Sequence, residues 1–136
     1  MASLSIEFRG YWREVNKKGV PALKGVYCVY RATYNQNTDR VLLAELLYVG
    51  QSENANERLA NHERLQDWIG ALGAGEELCY SFAPVEAADL DAVEAAMIYS
   101  CKPRFNADFA LSFPYGAIDV ILMGSTALLP SRIALP

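Results

Sequence analysis

The chain has 136 residues, a hydrophobic fraction of 52%, a charged fraction of 21% and a formal net charge of −4. This length favours one domain with a sizeable core, and the composition excludes an intrinsically disordered chain. No stretch approaches the roughly 18 uninterrupted apolar residues that a membrane helix requires, so we expect no membrane partner. The N-terminal residues lack the basic and apolar regions of a signal peptide, which predicts a cytoplasmic protein.

The first elements along the chain are two strands joined by a turn. Residues 25–33 (GVYCVYRAT) are rich in Val and Tyr, as strands are, and residues 41–49 (VLLAELLYV) form a second apolar run. Residues 34–39 between them have the polar composition of a turn. We therefore expect the two strands to pair as an antiparallel hairpin.

A helix is predicted next, capped by Asn54 or a neighbour and continuing to about Leu72, where Gly73 and Gly75 end it. The later elements are a strand over residues 77–85, an alanine-rich helix over 87–101 that Pro103 stops, and a strand over 118–123. The tail from residue 131 to 136 carries no clear signal. This order predicts an α+β fold in which helices pack on a mainly antiparallel sheet.

Charge is distributed unevenly along the chain. Residues 1–40 contain seven Lys or Arg against three acids, residues 41–100 contain two against eleven, and residues 101–136 contain three against two. The acidic total argues against strong sequence-independent affinity for nucleic acid, which depends on neutralising phosphates. Contact with nucleic acid would have to use the two ends of the chain, unless these charges merely solvate the surface.

Cysteine and histidine usage limits the metal chemistry that the chain can support. The three cysteines are widely spaced in apolar contexts, which favours buried free thiols over a metal-binding or catalytic role: Cys28, Cys79 and Cys101. No cysteine lies at zinc-ligand spacing, and the single His62 excludes a multi-histidine site.

Polar residues occur on faces of the predicted helices that should be buried. At about 100° per residue, one face of the first helix contains Arg58, His62, Leu65, Ile69 and Leu72. In the second helix, the apolar face contains Leu90, Glu94, Met97, Ile98 and Cys101. A carboxylate in an apolar stripe is costly unless it is paired or bound to a cation. One interpretation is structural, with a Glu94–Arg58 ion pair and a hydrogen-bonded core histidine; the other is a functional site.

The residues that favour a functional site form an ordered set. Gly25-Val26-Tyr27 and Tyr48-Val49-Gly50 each lie in one strand of the hairpin, and Arg58 follows eight residues past Gly50, with His62 one turn later. Glu94 lies twelve residues before Asn106, which ends the segment Lys102-Pro103-Arg104-Phe105-Asn106. Over roughly residues 24–107 this order resembles the GIY-YIG nuclease family, with Val for Ile in both tripeptides. The segment between the tyrosines is longer than usual, and Gln51 stands where many members have Lys.

The resemblance implies a small three-layer GIY-YIG-like domain over residues 24–107. Residues 1–23 would be an N-terminal extension, and residues 108–136 would be a C-terminal extension that packs on the same domain. The implied activity is that of a metal-dependent endonuclease that hydrolyses phosphodiester bonds of DNA, its substrate.

The resemblance also implies roles for individual residues. The catalytic set is Tyr27, Tyr48, Arg58, His62 and Glu94, and the supporting set is Gly25, Gly50 and Asn106. Asn106 is expected to fix the end of the helix that bears Glu94 rather than to touch the substrate. Glu94 would hold Mg²⁺ or Mn²⁺, and Arg58 would contact phosphate oxygens. Tyr27 would help to activate water as a general base or through a proton relay, with Tyr48 assisting and His62 orienting Tyr27 or sharing the proton.

Two other functions stay open at this point. A catalytically silent GIY-YIG-fold binding or interaction module is favoured by the acidic charge, by Gln51 and by the lack of a DNA-binding appendage. For a domain of either kind, a homodimer or a partner protein could supply affinity for DNA. A small-molecule enzyme rests only on the apolar, aromatic-rich N-terminal region.

Overall fold

The computed structural model describes residues 2–136. Its elements in chain order are β1 (Ala2–Arg13), a 3-10 helix (Glu14–Gly19), β2 (Gly25–Asn35), β3 (Arg40–Ser52), α1 (Ala55–Ala60), α2 (Leu65–Gly70), β4 (Glu76–Pro84), α3 (Ala87–Cys101), β5 (Ile118–Gly124) and β6 (Arg132–Leu135).

Six strands form one sheet in the order β3-β2-β4-β1-β5-β6. All neighbouring strands are antiparallel except β1 and β5, which run parallel. The sheet curls, and α3 contacts both strands at the edges of the sheet, β3 and β6. The predicted α+β class with a mainly antiparallel sheet is confirmed.

The predicted hairpin is also confirmed, and it is longer than the sequence pattern indicated. Strands β2 and β3 pair from Gly25↔Ser52 to Asn35↔Arg40. The ladder shifts register beside Leu47, which leaves this residue as a bulge. The long segment between Tyr27 and Tyr48 is therefore an extended hairpin.

Helices cover both faces of the central strands, and this produces two hydrophobic cores. Alternate residues of β2 point to opposite faces, so that Val26 and Cys28 enter the core beneath α3, while Tyr27 and Val29 enter the core beneath α1 and α2. Burial on both faces explains why β2 reads as a continuous apolar run rather than an alternating one.

The first helix differs from its prediction. Asn54 does cap it, because its side chain accepts the Glu57 N–H at 3.1 Å, but α1 ends at Ala60 and a separate α2 begins at Leu65. In the break, the Arg64 N–H donates to Nδ1 of His62 at 3.0 Å, a side-chain bond that competes with the helical ladder. The predicted common face of one continuous helix is therefore wrong.

Residues 2–13 and the tail were not predicted as strands. An alternation of apolar residues at Leu4, Ile6 and Phe8 is the local signal for β1, and Ile6 and Phe8 are buried. β1 lies between β4 and β5, and β6 completes the sheet beside β5. The domain boundaries at residues 23 and 107 stay a prediction.

The second predicted helix is confirmed, and the predicted burial of the thiols holds for Cys28 and Cys79, whereas Cys101 is half-buried. α3 ends at Cys101, with Lys102 in a left-handed conformation (φ 47°) before Pro103. All three cysteines are free, and burial raises the pKa of Cys28 to about 12. Among residues 2–136, every helix is too short or too polar to cross a membrane.

Candidate active site

The two glycine–tyrosine tripeptides lie side by side in the sheet. Tyr27 of β2 is paired with Gly50 of β3, and a Cβ at Gly50 would overlap the ring and hydroxyl of Tyr27. A Cβ at Gly25 would overlap the carbonyl oxygen of Ala83 and the Phe82 ring. Both positions therefore require glycine, which gives the two supporting residues a steric role.

Tyr27 and His62 form a buried hydrogen bond. The hydroxyl oxygen of Tyr27 lies 2.8 Å from Nε2 of His62, and the two residues are 1% and 6% exposed. Nδ1 of His62 accepts the Arg64 N–H, so the proton of the neutral ring is on Nε2. His62 therefore donates to Tyr27, and the phenolic proton of Tyr27 is free for another acceptor.

Burial keeps this histidine neutral. Desolvation, followed by the positive charge of Arg58, lowers the pKa of His62 to about 4. Protonation would also place a hydrogen on Nδ1 against the Arg64 N–H. The expectation of a hydrogen-bonded core histidine is met, and the same residue contacts the principal candidate for catalysis.

Tyr48 and Trp68 complete an aromatic cluster around His62. The ring centroids of Tyr48 and Trp68 lie 5.6 Å and 4.4 Å from that of His62, and the Tyr27 and Tyr48 centroids are 6.3 Å apart. Trp68 is fully buried, and its indole N–H has no acceptor among residues 2–136. Sequence reasoning missed Trp68, because a Trp in an amphipathic segment is normally core and nothing local ties it to His62.

Both phenols are protonated at neutral pH in this arrangement. Burial raises the pKa of Tyr27, and the positive charge of Arg58 opposes the shift without reversing it. Burial likewise raises the pKa of Tyr48, and the carboxylate of Glu94 adds to the increase for both tyrosines. A phenolate would therefore need more positive charge than the described residues supply.

Arg58 is paired with a neighbour rather than with the second helix. Its guanidinium makes a two-pronged contact with Glu63, at 2.5 Å and 2.6 Å. This pairing holds the pKa of Glu63 at about 2. The alternative of a structural Glu94–Arg58 ion pair is therefore wrong, because the break between α1 and α2 brings Glu63 back over Arg58.

Glu94 is half-buried on α3 and is held by Gln51. The amide nitrogen of Gln51 donates to Oε1 of Glu94 at 3.0 Å and to Asp91 at 2.7 Å. Desolvation raises the pKa of Glu94, and the hydrogen bond from Gln51 opposes the increase. Among residues 2–136 only Oε1 of this carboxylate accepts a side-chain hydrogen bond, so Oε2 is available to a ligand.

The donor set around Glu94 fits one hydrated divalent cation. Asp91 and Asp108 add negative charge and raise the pKa of Glu94 further, and the guanidinium of Arg64 lines the same cleft. Within residues 2–136 no three His, Cys, Asp or Glu side chains converge as a closed metal cage. A single carboxylate with one free oxygen suits Mg²⁺, which keeps most of its waters.

Asn106 supports the site from the edge of the sheet. Its side chain accepts the N–H of Val49 and donates to the carbonyl of Val49, both at 2.9 Å. Asn106 therefore anchors the middle of Tyr48-Val49-Gly50 on β3, and the expectation that it fixes the end of α3 is wrong. The adjacent Phe105 N–H donates to the Leu47 carbonyl at 3.0 Å.

Three of the predicted catalytic residues line two clefts, and the other two are buried. Tyr48 and Glu94 share a cleft of about 170 Å³ with Arg64 and Asp108. Arg58 lines a second cleft of about 390 Å³ with Asn54. Tyr27 and His62 are buried beside Tyr48. Arg64 bonds the Phe105 carbonyl at 3.1 Å and faces Tyr48.

Comparison with known proteins found no matching family model, no matching curated protein and no matching solved structure.

Proposed function

We propose that this chain is a metal-dependent endonuclease of the GIY-YIG type that hydrolyses phosphodiester bonds of DNA. The observation that carries the proposal is the cluster of Tyr27, Tyr48 and His62 next to the Glu94 carboxylate. A hydrogen-bonded buried phenol beside a carboxylate with a free oxygen combines a proton-transfer group with a cation ligand. The layered α+β architecture and the register of Tyr27 with Gly50 support the same assignment.

Tyr27 would assist in removing the proton from the attacking water. The Nε2–H of His62 donates to the phenolic oxygen and so stabilises negative charge on it. The proton of Tyr27 cannot pass to His62 in this tautomer, because Nε2 already carries one. A relay from Tyr27 to His62 is therefore disfavoured, and the role of His62 is to orient and polarise Tyr27.

Glu94 would hold a divalent cation through Oε2, with Gln51 fixing the carboxylate through Oε1. When bound, Mg²⁺ or Mn²⁺ would supply positive charge at the phosphate and lower the pKa of water. Such a charge near Tyr27 and Tyr48 would also oppose the increase in pKa that burial imposes on their phenols.

Arg58 would bind phosphate oxygens with the same two nitrogens that now contact Glu63. Carboxylates and phosphates both present paired oxygens to the guanidinium fork, so the two can exchange. Among the described residues the Glu63 side chain pairs with Arg58, lies 4.0 Å from Nδ1 of the neutral His62 and is 65% exposed, which allows it to move away.

A catalytically silent module with this fold is the second candidate. It is favoured because two site residues already have hydrogen-bond partners in the protein: Gln51 binds Glu94, and Glu63 binds Arg58. A homodimer or a partner protein would then supply the affinity for DNA that an acidic domain lacks.

Cleavage of DNA separates the two candidates. We expect the wild-type chain to nick plasmid or branched DNA with Mg²⁺ or Mn²⁺, and we expect Glu94→Gln to abolish this activity with the fold intact. Asp91→Asn is the matched control, because it removes another carboxylate that Gln51 binds on the same helix; it should retain most of the activity. No cleavage by the wild type on duplex, branched and single-stranded DNA would decide for the silent module.

A further inference from the structure

Arg64 lies where several parts of the candidate site meet. It directly precedes α2, in the break that follows α1. Its side chain lines the cleft that contains Tyr48 and Glu94, and among residues 2–136 it is the only cation in that lining. Its guanidinium carbon lies 5.8 Å from the centre of the Tyr48 ring. Arg58 lines a different cleft, so the arginine beside Tyr48 and Glu94 is Arg64.

The main chain of Arg64 fixes the histidine of the site. Its N–H donates to Nδ1 of His62 at 3.0 Å, and this bond leaves Nε2 of His62 to donate to Tyr27. A substitution of the Arg64 side chain keeps this N–H. The contribution of the main chain to His62 and Tyr27 can therefore be separated by experiment from the contribution of the side chain.

The side chain of Arg64 is held at two points. One terminal nitrogen donates to the carbonyl of Phe105 at 3.1 Å, and Nε pairs with Asp67 at 2.8 Å. The N–H of Phe105 in turn donates to the carbonyl of Leu47, the residue before Tyr48. Arg64 is thus connected through Phe105 to the strand that bears Tyr48, and its guanidinium has a fixed position beside the Tyr48 ring.

Tyr48 differs from its other aromatic neighbours in its exposure. Tyr27, His62 and Trp68 are buried, and all three pack against the half-buried Tyr48 ring from within the protein. A ring at the wall of a cleft keeps one orientation only if it also has a partner there. The guanidinium of Arg64 is such a partner, because a cation is attracted to the face of an aromatic ring.

We propose that Arg64 is a positioning residue of this site: its side chain, held by Phe105 and Asp67, fixes the Tyr48 ring relative to Glu94. Groups at a reaction centre act efficiently only within a narrow range of distances and angles, so a loosened Tyr48 should lower the rate rather than the affinity. The expected effect on DNA cleavage rests on the proposed function. The effect on the orientation of Tyr48 does not.

Fluorine NMR of protein labelled with fluorotyrosine tests the positioning without any substrate. The Tyr48 resonance is assigned by its loss in Tyr48→Phe. In Arg64→Gln, we expect this resonance to move toward the position of a solvent-exposed tyrosine, because the ring loses its partner at the cleft. The Tyr27 resonance should stay in place, since the main-chain bond to His62 is kept, and it also reports that the variant is folded.

Two further variants separate position from charge. Arg64→Lys keeps the positive charge but lacks the fork that reaches Phe105 and Asp67 together, so it should restore only part of the wild-type Tyr48 resonance. Arg104→Gln is the matched control. Arg104 is the residue before Phe105, and it pairs with Glu45 instead of facing Tyr48. This control should leave the Tyr48 resonance unchanged.

Kinetics measure what the position contributes to catalysis. In Arg64→Gln, kcat for DNA cleavage should fall about tenfold while KM changes by less than about twofold. Arg64→Lys should recover part of the rate, and Arg104→Gln should cleave as the wild type does. A purely electrostatic role in DNA binding would instead raise KM.

An unchanged Tyr48 resonance in Arg64→Gln would overturn the proposal, whether or not the protein cleaves DNA. A higher KM with an unchanged kcat would also overturn it, because Arg64 would then bind the substrate. If the wild type cleaves no DNA but the Tyr48 resonance moves as expected, the proposed function fails and the positioning of Tyr48 by Arg64 stands.

Discussion

At the scale of single residues, the Tyr27 hydroxyl has two separable contributions. It accepts a buried hydrogen bond from His62, and it is the proposed carrier of the water proton. Another buried tyrosine of β2, Tyr30, bonds Ser81 at 3.0 Å in the opposite core. The two phenols are therefore chemically alike in the folded protein, and they differ in their proximity to the site.

Tyr27→Phe should lower the cleavage rate by at least about 100-fold with little change in DNA affinity, because only the proton-transfer group is lost. Tyr30→Phe is the matched control and should cleave normally. Both variants should lose about 1–2 kcal/mol of unfolding free energy, because each leaves a buried polar group without its hydrogen-bond partner. Equal cleavage rates for the two variants would remove Tyr27 from the mechanism.

Arg58 gives a second prediction at the residue scale. Since Glu63 occupies the guanidinium, Glu63→Gln should strengthen binding of DNA about fivefold in divalent-free buffer. Glu57→Gln changes the same charge on α1 without a bond to Arg58, so it controls for long-range electrostatics. Fluorescence anisotropy measures both. If the increase survives in an Arg58→Gln background, then Glu63 does not act through Arg58.

At the scale of elements, the edge strand β3 is fixed by the chain that follows α3. On the outer edge of β3, no strand among residues 2–136 pairs with Val49. The side-chain amide of Asn106 takes that place, because it accepts from the N–H of Val49 and donates to the carbonyl of Val49. This contact joins the strand that bears Tyr48 to the segment that follows the helix bearing Glu94. It therefore couples the two halves of the candidate site.

Asn106→Ala should lower the unfolding free energy by about 1–3 kcal/mol, because the buried polar groups of Val49 lose both partners. Hydrogen exchange of the Val49 amide should accelerate in this variant. Asn106→Asp keeps the acceptor for that amide and loses the donor, so it should retain most of the protection at Val49. Unchanged exchange in Asn106→Ala would show that the contact does not secure β3.

At the scale of the whole molecule, His62 makes stability depend on pH. Its pKa falls from an ordinary value near 6.5 to about 4 in the folded state. Between these values the unfolded chain binds the proton and the folded protein does not, so stability is lost as pH falls through this window. The full loss is about 3 kcal/mol.

Urea denaturation between pH 7 and pH 4 measures this loss. Glu94 acts in the opposite sense, since its raised pKa means that the folded state gains stability as that carboxyl is protonated. The free energy of unfolding that is lost between pH 7 and pH 4 should therefore be larger in Glu94→Gln than in the wild type, because the opposing contribution of Glu94 is absent. Glu94→Gln should also be more stable at neutral pH, because a half-buried charge is removed. A flat profile in that variant would contradict a neutral buried His62.

The uneven charge of the chain gives the last prediction. Neutralising Lys17, Lys18 and Lys24 together should weaken DNA binding and flatten its salt dependence. Lys17 already pairs with Glu14 at 2.7 Å and Lys24 with Glu53 at 3.5 Å. We therefore expect the log–log salt slope to fall by about one unit rather than about three. A triple Arg variant is the charge-preserving control, and an unchanged slope would show that these lysines only solvate the surface.

Much of the architecture was readable from local pattern. The apolar runs of β2 and β3, the turn between them, the Asn54 cap and the stop of α3 at Pro103 all depend on neighbours in sequence. The steric need for Gly25 and Gly50 is likewise encoded in the tripeptides, although only the pairing of Tyr27 with Gly50 shows its cause. In β1 apolar residues alternate over a short stretch, which is a local signal for a strand. Its position between β4 and β5, however, depends on partners far along the chain.

The sequence by itself determined which segments are buried and which residues are chemically able to form the site. Only the tertiary structure decided that the first helix breaks at His62, that Arg58 binds Glu63 and that Gln51 holds Glu94. Periodicity specifies which side of an element faces the core, because burial is a property of each side chain. It does not specify which polar group satisfies another, because that choice depends on distances between elements that only the folded chain fixes.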